Sequence, residues 1–376
     1  MTSADADGGP AVVVNAGSST MKVRVIGPHG TTEGSLDIDP WDGGAAHPEL
    51  ARFLDGVAGA VAVVGHRVVH GGTRFSQAVL IDEAVIGAIA GLADLAPLHQ
   101  PRALAGIDAA RNALPGVPQI ACFDTAFHAG LPAAAARYAL PDDWTRRFGL
   151  RRFGFHGLSH GYAARRAAEL LGRDLADLRL VTCHLGAGAS LAAVRDGRSV
   201  DTTMGFTPLE GLVMATRSGS VDPGLITWLL QHGSVSVDEL AAGLELSAGL
   251  AGLAQIPSGD MRAVLAAADS GDEQASLALE VYLHRLRREI AAMTAAMNGL
   301  DALVFTGGVG EHSPRVRALT AAGLEFLGVS LDPAQRDVTS DADISGPGQV
   351  RVLVVTARED LEIALQARAV LAAPHA

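Results

Sequence analysis

Apolar residues fall into short runs that alternate along the chain with longer helical stripes. Residues 12–25 (VVVNAGSSTMKVRV) are an apolar run, a turn of small residues and a second apolar run, which predicts a β-hairpin. Residues 181–194 (VTCHLGAGASLAAV) repeat that pattern at a constant offset, with His184 in the place of Asn15 and Gly186 in the place of Gly17. One such hairpin opening each half predicts a duplicated domain. Leu279, Leu283, Leu286, Ile290, Met293 and Met297 recur three and four apart, which predicts a helix over 277–297 that stops at Gly299. Residues 103–113, 162–171 and 359–373 read as further helices, the last after a strand over 350–355. Strands alternating with helices in both halves place the chain in the α/β class.

The turns carry more information than the strands. Neither hairpin turn is a Walker A loop, and neither is a dinucleotide turn, because a strand follows instead of a helix. Consecutive backbone N–H groups in such turns can cradle an anion, and two of them could hold one polyphosphate between two domains. A third turn, Gly307-Gly308-Val309-Gly310, follows a strand over 301–306 and precedes a helix that Ser313 caps and Pro314 opens. A glycine loop that feeds a helix N-terminus suits a nucleotide, because the backbone approaches closely and the helix dipole favours anions.

Composition narrows the function. A hydrophobic fraction of 48% over 376 residues can bury a large core and suggests two domains. A net charge of −12 argues against a general nucleic-acid or anionic-membrane binder. Two cysteines exclude a disulfide scaffold and favour a reducing compartment. The polar, acidic start is no signal peptide, and no apolar stretch is long enough to span a bilayer, so a soluble cytoplasmic protein is expected. Lys22 is the only lysine among 29 basic residues. Base composition can replace lysines by arginine; a retained ammonium can also mark a site that needs a compact charge.

Histidine and arginine concentrate in glycine-bounded apolar segments: GHRVVHGG, LAPLHQP, FDTAFH and RRFGFHGLSH. His66/His70 and His156/His160 have HxxxH spacing, a weak zinc signal without the glutamate of HExxH. His66 and His160 read as core histidines, His99 and His156 as donors in a pocket. Arg67 and Arg217 lie in nearly neutral surroundings, where a guanidinium pairs with a carboxylate or a phosphate; for Arg217 a structural bridge to Glu210 or Asp222 is the alternative. Asp124 ends the apolar run QIACF, as a metal or arginine partner or as a turn cap. Glu359 could equally be an ordinary first-turn helix residue.

Taken in order, NAGSSTMK, GHRVVHGG, LAPLHQP, FDTAFH, RRFGFHGLSH, HLGAGAS, MGFTPLEGLVMATRSGS, FTGGVGEHS and TAREDLEIA resemble the successive signature blocks of the acetate kinase family over nearly the whole chain. The chain is slightly short, with the gap between Arg24 and Val63. The resemblance implies two ribonuclease-H-like domains of the actin-like ATPase superfamily, over 11–124 plus 361–376 and over 125–360, with the active site in the cleft. It implies reversible, Mg²⁺-dependent phosphoryl transfer from ATP to acetate, giving acetyl phosphate and ADP, in a homodimer. A kinase for propionate or another short carboxylate, or a different phosphoryl donor such as pyrophosphate, is the alternative.

The resemblance also assigns residues. Arg67 matches the arginine that binds the substrate carboxylate, Arg217 and His156 the pair that stabilises the transition state, and Asp124 the residue usually given as acid/base. Acetate is already ionised at neutral pH and needs no general base, so Asp124 is expected to orient Arg67 or the hydrated metal. Val69, Leu98, His99, Phe155 and Pro208 match the acyl site. Lys22, Ser18, Thr20, His184, Leu185, Gly186, Ala187, Gly188, Asp260, Met261, Arg262, Gly308, Val309, Gly310, Glu311 and His312 match the nucleotide and phosphate positions, and Asn15 and Glu359 the Mg²⁺ positions. Five residues depart from the family's blocks: Ala187, His312 and Gln100 stand where asparagine is usual, Met261 where an aromatic is usual, and Thr20 where serine is usual.

Overall fold

The structure is a computed structural model and describes residues 9–17, 20–41, 43–44, 47–335 and 337–373. The chain divides into two compact units, residues 1–129 with 157–162 and 358–376, and residues 130–156 with 163–357. Ser18, expected at the phosphate, lies outside the described residues.

The first unit holds a six-stranded sheet. Its strands are β1 (Ala11–Ala16), β2 (Met21–Ile26), β3 (Thr32–Ile38), β4 (Val63–Val68), β5 (Val79–Leu80) and β6 (Gln119–Phe123), in the order β3-β2-β1-β4-β6-β5. The second unit repeats the plan with β7 (Arg179–Leu185), β8 (Ala189–Arg195), β9 (Arg198–Thr202), β10 (Ala302–Thr306), β11 (Ala342–Asp343) and β12 (Arg351–Val354), in the order β9-β8-β7-β10-β12-β11. Directions repeat as well. In each sheet the first three strands form an antiparallel meander, two parallel neighbours follow, and an antiparallel edge strand closes the row. Identical order and direction in two sheets is the duplication that the paired hairpins predict.

Alternation within β1 explains why its run is apolar throughout. Val12, Val14 and Ala16 face one cluster, which includes Met21, Val23, Ala109 and Ala110; Ala11 and Val13 face another, with Ile120, Ile363 and Ala367. A strand covered on both faces needs apolar residues at every position. The second face is covered by the C-terminal helix Glu359–Ala372, which lies so close that a Cβ on Gly65 of β4 would sit 2.5 Å from Ile363. That packing returns Glu359 to the first sheet.

Helix limits differ from the sequence expectation where a cap decides. The long helix runs Glu273–Met297, begun by Asp272, whose side chain accepts from Ala275 N. Asn298, not Gly299, takes the left-handed cap (φ 55, ψ 47), a conformation that asparagine tolerates better than most residues. Gly307–His312 is a short helix and not a loop, and Ser313 then caps Pro314–Ala322 as expected. No described helix is long and apolar enough to cross a membrane.

Candidate active site

In the first unit the site is built around Arg67, at the carboxyl end of β4. Asp124 follows the end of β6, the neighbouring parallel strand, and β1 lies on the other side with Asn15 near its end. Parallel packing therefore gathers three polar residues at one edge of an apolar sheet. Arg67 Nη2 and Nε donate to Asp124 Oδ2 at 2.6 and 3.1 Å, and Nη1 donates to Asn15 Oδ1 at 3.3 Å. Glu359 Oε2 lies 3.8 Å from Nε. Burial lowers the pKa of this guanidinium, but the charges of Asp124 and Glu359 outweigh it and hold the pKa above its ordinary value. Arg67 is thus a permanent cation, held in place and only one-fifth exposed.

Neighbouring loops are fixed in turn. Gln100, standing where asparagine is usual, accepts from His70 N and donates to His70 O at 3.0 Å, which ties the segment after β4 to the helix Gln100–Ala113. Asp124 O accepts from Gly157 N at 2.8 Å, and a Cβ on Gly157 would lie 2.1 Å from that oxygen, so only glycine fits. Val69 is buried, His99 partly exposed and Leu98 more than half exposed. Lys22 is exposed and sits opposite Asn15 in the β1–β2 register; Thr20 closes that turn by accepting from Gly17 N.

The oxygens around Arg67 come from one amide and two carboxylates. Such hard donors suit Mg²⁺, which takes one or two protein oxygens and fills its shell with water and phosphate. No cluster of three or more His, Cys, Asp or Glu able to hold a metal occurs among the described residues. The Asn15 amide oxygen and the Glu359 carboxylate are donors of the type that Mg²⁺ takes beside water and phosphate.

His66 and His160 are buried, as expected of core histidines. His66 Nε2 lies 2.7 Å from Gln119 Oε1, and burial pushes its pKa down to about 4 from 6.5. The unfolded imidazole takes up a proton near pH 6.5 and the folded one only near 4, so acid favours unfolding. The contribution of His66 is complete above pH 6.5 and is lost as pH falls towards 4. Denaturant melts of His66→Gln and the parent protein at pH 7 and pH 5 are expected to converge by about 2 kcal/mol at the lower pH.

In the second unit, His156 and Arg217 converge on the β7–β8 turn. A Cβ on Gly188 would lie 3.4 Å from both Arg217 Nη1 and His156 Nε2, so the two nitrogens are at most twice that distance apart. Arg217 makes no ion pair among the described residues. Its Nη1 donates to Pro208 O at 3.4 Å, and burial holds its pKa below the ordinary value against the weaker pull of Glu245. The alternative bridges do not form. Glu210 is taken by Arg152 at 2.7 Å and by the Tyr138 hydroxyl at 2.5 Å, and Asp222 caps the helix Pro223–His232. Phe155 is buried and Pro208 partly exposed.

A cavity of about 420 Å³ opens beside this turn. Eight of the expected nucleotide residues line it: Gly186, Ala187, Asp260, Met261, Arg262, Gly308, Val309 and His312. His184, Leu185, Gly188, Gly310 and Glu311 do not. Glu311 is buried; its Oε1 accepts from Ala357 N at 3.0 Å, which fastens the loop before the C-terminal helix, and its Oε2 lies 4.0 Å from His312 Nε2. Arg317 is fully buried and donates to the carbonyls of Gly310 and Glu311, which fixes the glycine turn from behind. Sequence reasoning missed Ala215, Leu250, Ser258, Gly259, Tyr282 and Ser313, which complete the lining. Ser258 and Gly259 come from a loop and Leu250 from a short helix, none with a motif of its own, whereas Ala215 lies inside the MGFTPLEGLVMATRSGS block.

Gly259 was nevertheless legible as a glycine beside Asp260. Its φ is +57, and a Cβ there would lie 2.0 Å from Ala215 O. Gly259→Ala must displace the turn that carries Asp260 and Met261. Backbone strain and overlap together cost about 2–4 kcal/mol, which predicts at least a tenfold weaker nucleotide dissociation constant by calorimetry.

A duplicated α/β sheet unit, with a caged guanidinium in one copy and a glycine-bounded cavity beside an arginine and a histidine in the other, defines a phosphotransferase. The Acetokinase family model matches residues 51–365. Acetate kinase of Synechococcus sp. is 54% identical over 82% of this chain and 76% of its own; that of Gloeobacter violaceus is 46% identical over 94% and 97%. The crystal structure of Porphyromonas gingivalis acetate kinase superposes with a TM-score of 0.88 at 35% identity, covering 96% of this chain and 100% of its own. The chain belongs to the acetokinase family.

Proposed function

We propose that this enzyme transfers the γ-phosphoryl group of ATP to acetate, reversibly and by direct in-line attack. A carboxylate oxygen of acetate forms the new O–P bond while the bond from the γ-phosphorus to the β–γ bridging oxygen breaks, and ADP leaves with that electron pair. Arg67 holds the acetate carboxylate by its charge and its fork of donors. Asp124 and Glu359 keep that fork oriented; the substrate is already ionised and needs no base. Val69, Leu98, Phe155 and Pro208 supply apolar surface for the methyl group.

The nucleotide occupies the 420 Å³ cavity, with its phosphates at the glycine turns; Lys22 is assigned to phosphate binding by its place in the family's first block. Arg217 and His156 neutralise the charge that spreads over the equatorial oxygens in the transition state. Asn15 and Glu359 would hold Mg²⁺, which when bound would add to the neutralisation of the phosphate oxygens. The observation that carries this reading is Arg217: a partly buried guanidinium without an ion-pair partner among the described residues, beside a histidine, next to the cavity.

Trapping acetyl phosphate with hydroxylamine, with ATP and Mg²⁺ and a series of short carboxylates, tests it. Acetate is expected to give the highest kcat/KM. Turnover with pyrophosphate and none with ATP would refute the donor. We further infer a cytoplasmic homodimer, for which sedimentation of the purified protein should give twice the 38.6 kDa chain mass.

A further inference from the structure

Three residues of the β7–β8 hairpin grip the imidazole of His156. His184 lies against its face, with ring centroids 4.3 Å apart and planes 26° from parallel. Gly188 leaves room at its edge: a Cβ there would lie 3.4 Å from both Cε1 and Nε2. Ser190 Oγ lies 2.9 Å from Nδ1. Ser190 is directly opposite His184 in the antiparallel register, so both side chains leave the same face of the sheet. Ser190 is buried, which removes bulk water as a substitute for its hydroxyl. The backbone of His156 is itself left-handed (φ 55, ψ 25), an uncommon state for histidine that aims the ring before any side chain touches it.

A neutral imidazole has one N–H donor and one lone-pair acceptor. Which nitrogen carries the proton is set by the hydrogen bond that the other one makes. With the proton on Nδ1, a lone pair at Nε2 would face the phosphoryl oxygens and repel them. With the proton on Nε2, the ring becomes a donor on the same side of Gly188 as Arg217 Nη1.

We propose that Ser190 is a positioning residue for phosphoryl transfer: its hydroxyl donates to Nδ1 of His156 and keeps the imidazole proton on Nε2. This rests on the reading of His156 as a donor to the transition state. Loss of the hydroxyl leaves the ring stacked on His184 but takes away the bond that Ser190 makes to Nδ1. The defect should therefore appear in kcat and not in substrate affinity.

The test uses the full-length enzyme. Ser190→Ala is expected to lower kcat by about 10- to 100-fold, the usual effect of removing an outer partner that orients a functional histidine, while KM for acetate and ATP stays nearly constant. Ser190→Thr, which keeps the hydroxyl, should recover most of kcat. In ¹⁵N spectra of labelled protein, the His156 signal, assigned by its loss in His156→Gln, should report the Nε2–H tautomer in the parent and a mixture in Ser190→Ala. An unchanged kcat or an unchanged tautomer in Ser190→Ala overturns the proposal. Should Ser190→Thr fail to fold, the tautomer of Ser190→Ala decides. Full activity in His156→Gln overturns the underlying role of His156, whereas an inactive His156→Gln with an unaltered tautomer in Ser190→Ala overturns that of the serine alone.

Discussion

Arg217→Ala is expected to lower kcat by about 10²–10³-fold, the usual loss when one fixed transition-state donor is removed. KM for ATP and acetate should change little, because this guanidinium is spent neither on an ion pair among the described residues nor on the cavity lining. Stability should hold or improve. Burial already opposes the charge, and the bonds that Arg217 gives up, to Pro208 O at 3.4 Å and to Met214 Sδ at 3.8 Å, are long. Steady-state kinetics with a denaturant melt decides the matter: a large loss of stability with kcat intact would make Arg217 a structural residue.

Arg67→Ala should do the opposite, harming stability and acetate binding together. The side chain of Asp124 is 1% exposed and loses the partner that now sits 2.6 Å away. Breaking a buried pair from one side costs about 3–5 kcal/mol, because the remaining charge stays buried. Removing a charged donor from the substrate carboxylate should cost a further 10- to 100-fold or so in kcat/KM for acetate. Asp124→Asn separates orientation from acid–base chemistry. It keeps the shape and leaves Asn15 and Glu359 beside the guanidinium, so kcat/KM should fall by less than in Arg67→Ala, with the shape of the pH–rate profile unchanged. Loss of the acid limb in Asp124→Asn would instead make Asp124 a proton-transfer group.

The motif blocks made much of this site legible. Arg67, Asp124, His156 and Arg217 stand out because a charged or titratable residue in an apolar, glycine-bounded segment must have a partner, whether in the fold or in a ligand. The alternatives left open for Arg217 could not be resolved that way. Only the fold shows that Arg152 and Tyr138 take Glu210 and that a helix N-terminus takes Asp222. Glu311 shows the complementary limit: a motif gives its place in the chain but not the direction of its side chain, whose Oε1 turns to Ala357 N. Ser190 lay inside a recognised block and still passed unnoticed, because a serine in a strand has no sequence signal for what its hydroxyl meets.

Period and punctuation along the chain were enough to determine the α/β class, the two hairpins and their duplication, since these depend on neighbours a few residues apart. The capping of the long helix by Asn298, the lining of the cavity by Ala215, Leu250 and Tyr282, and the meeting of Arg67 with Glu359 were decided by tertiary structure. Each of these depends on which surfaces exclude water together or which competing cap fits best, and in the case of Glu359 on a helix that closes over a strand nearly three hundred residues earlier in the chain.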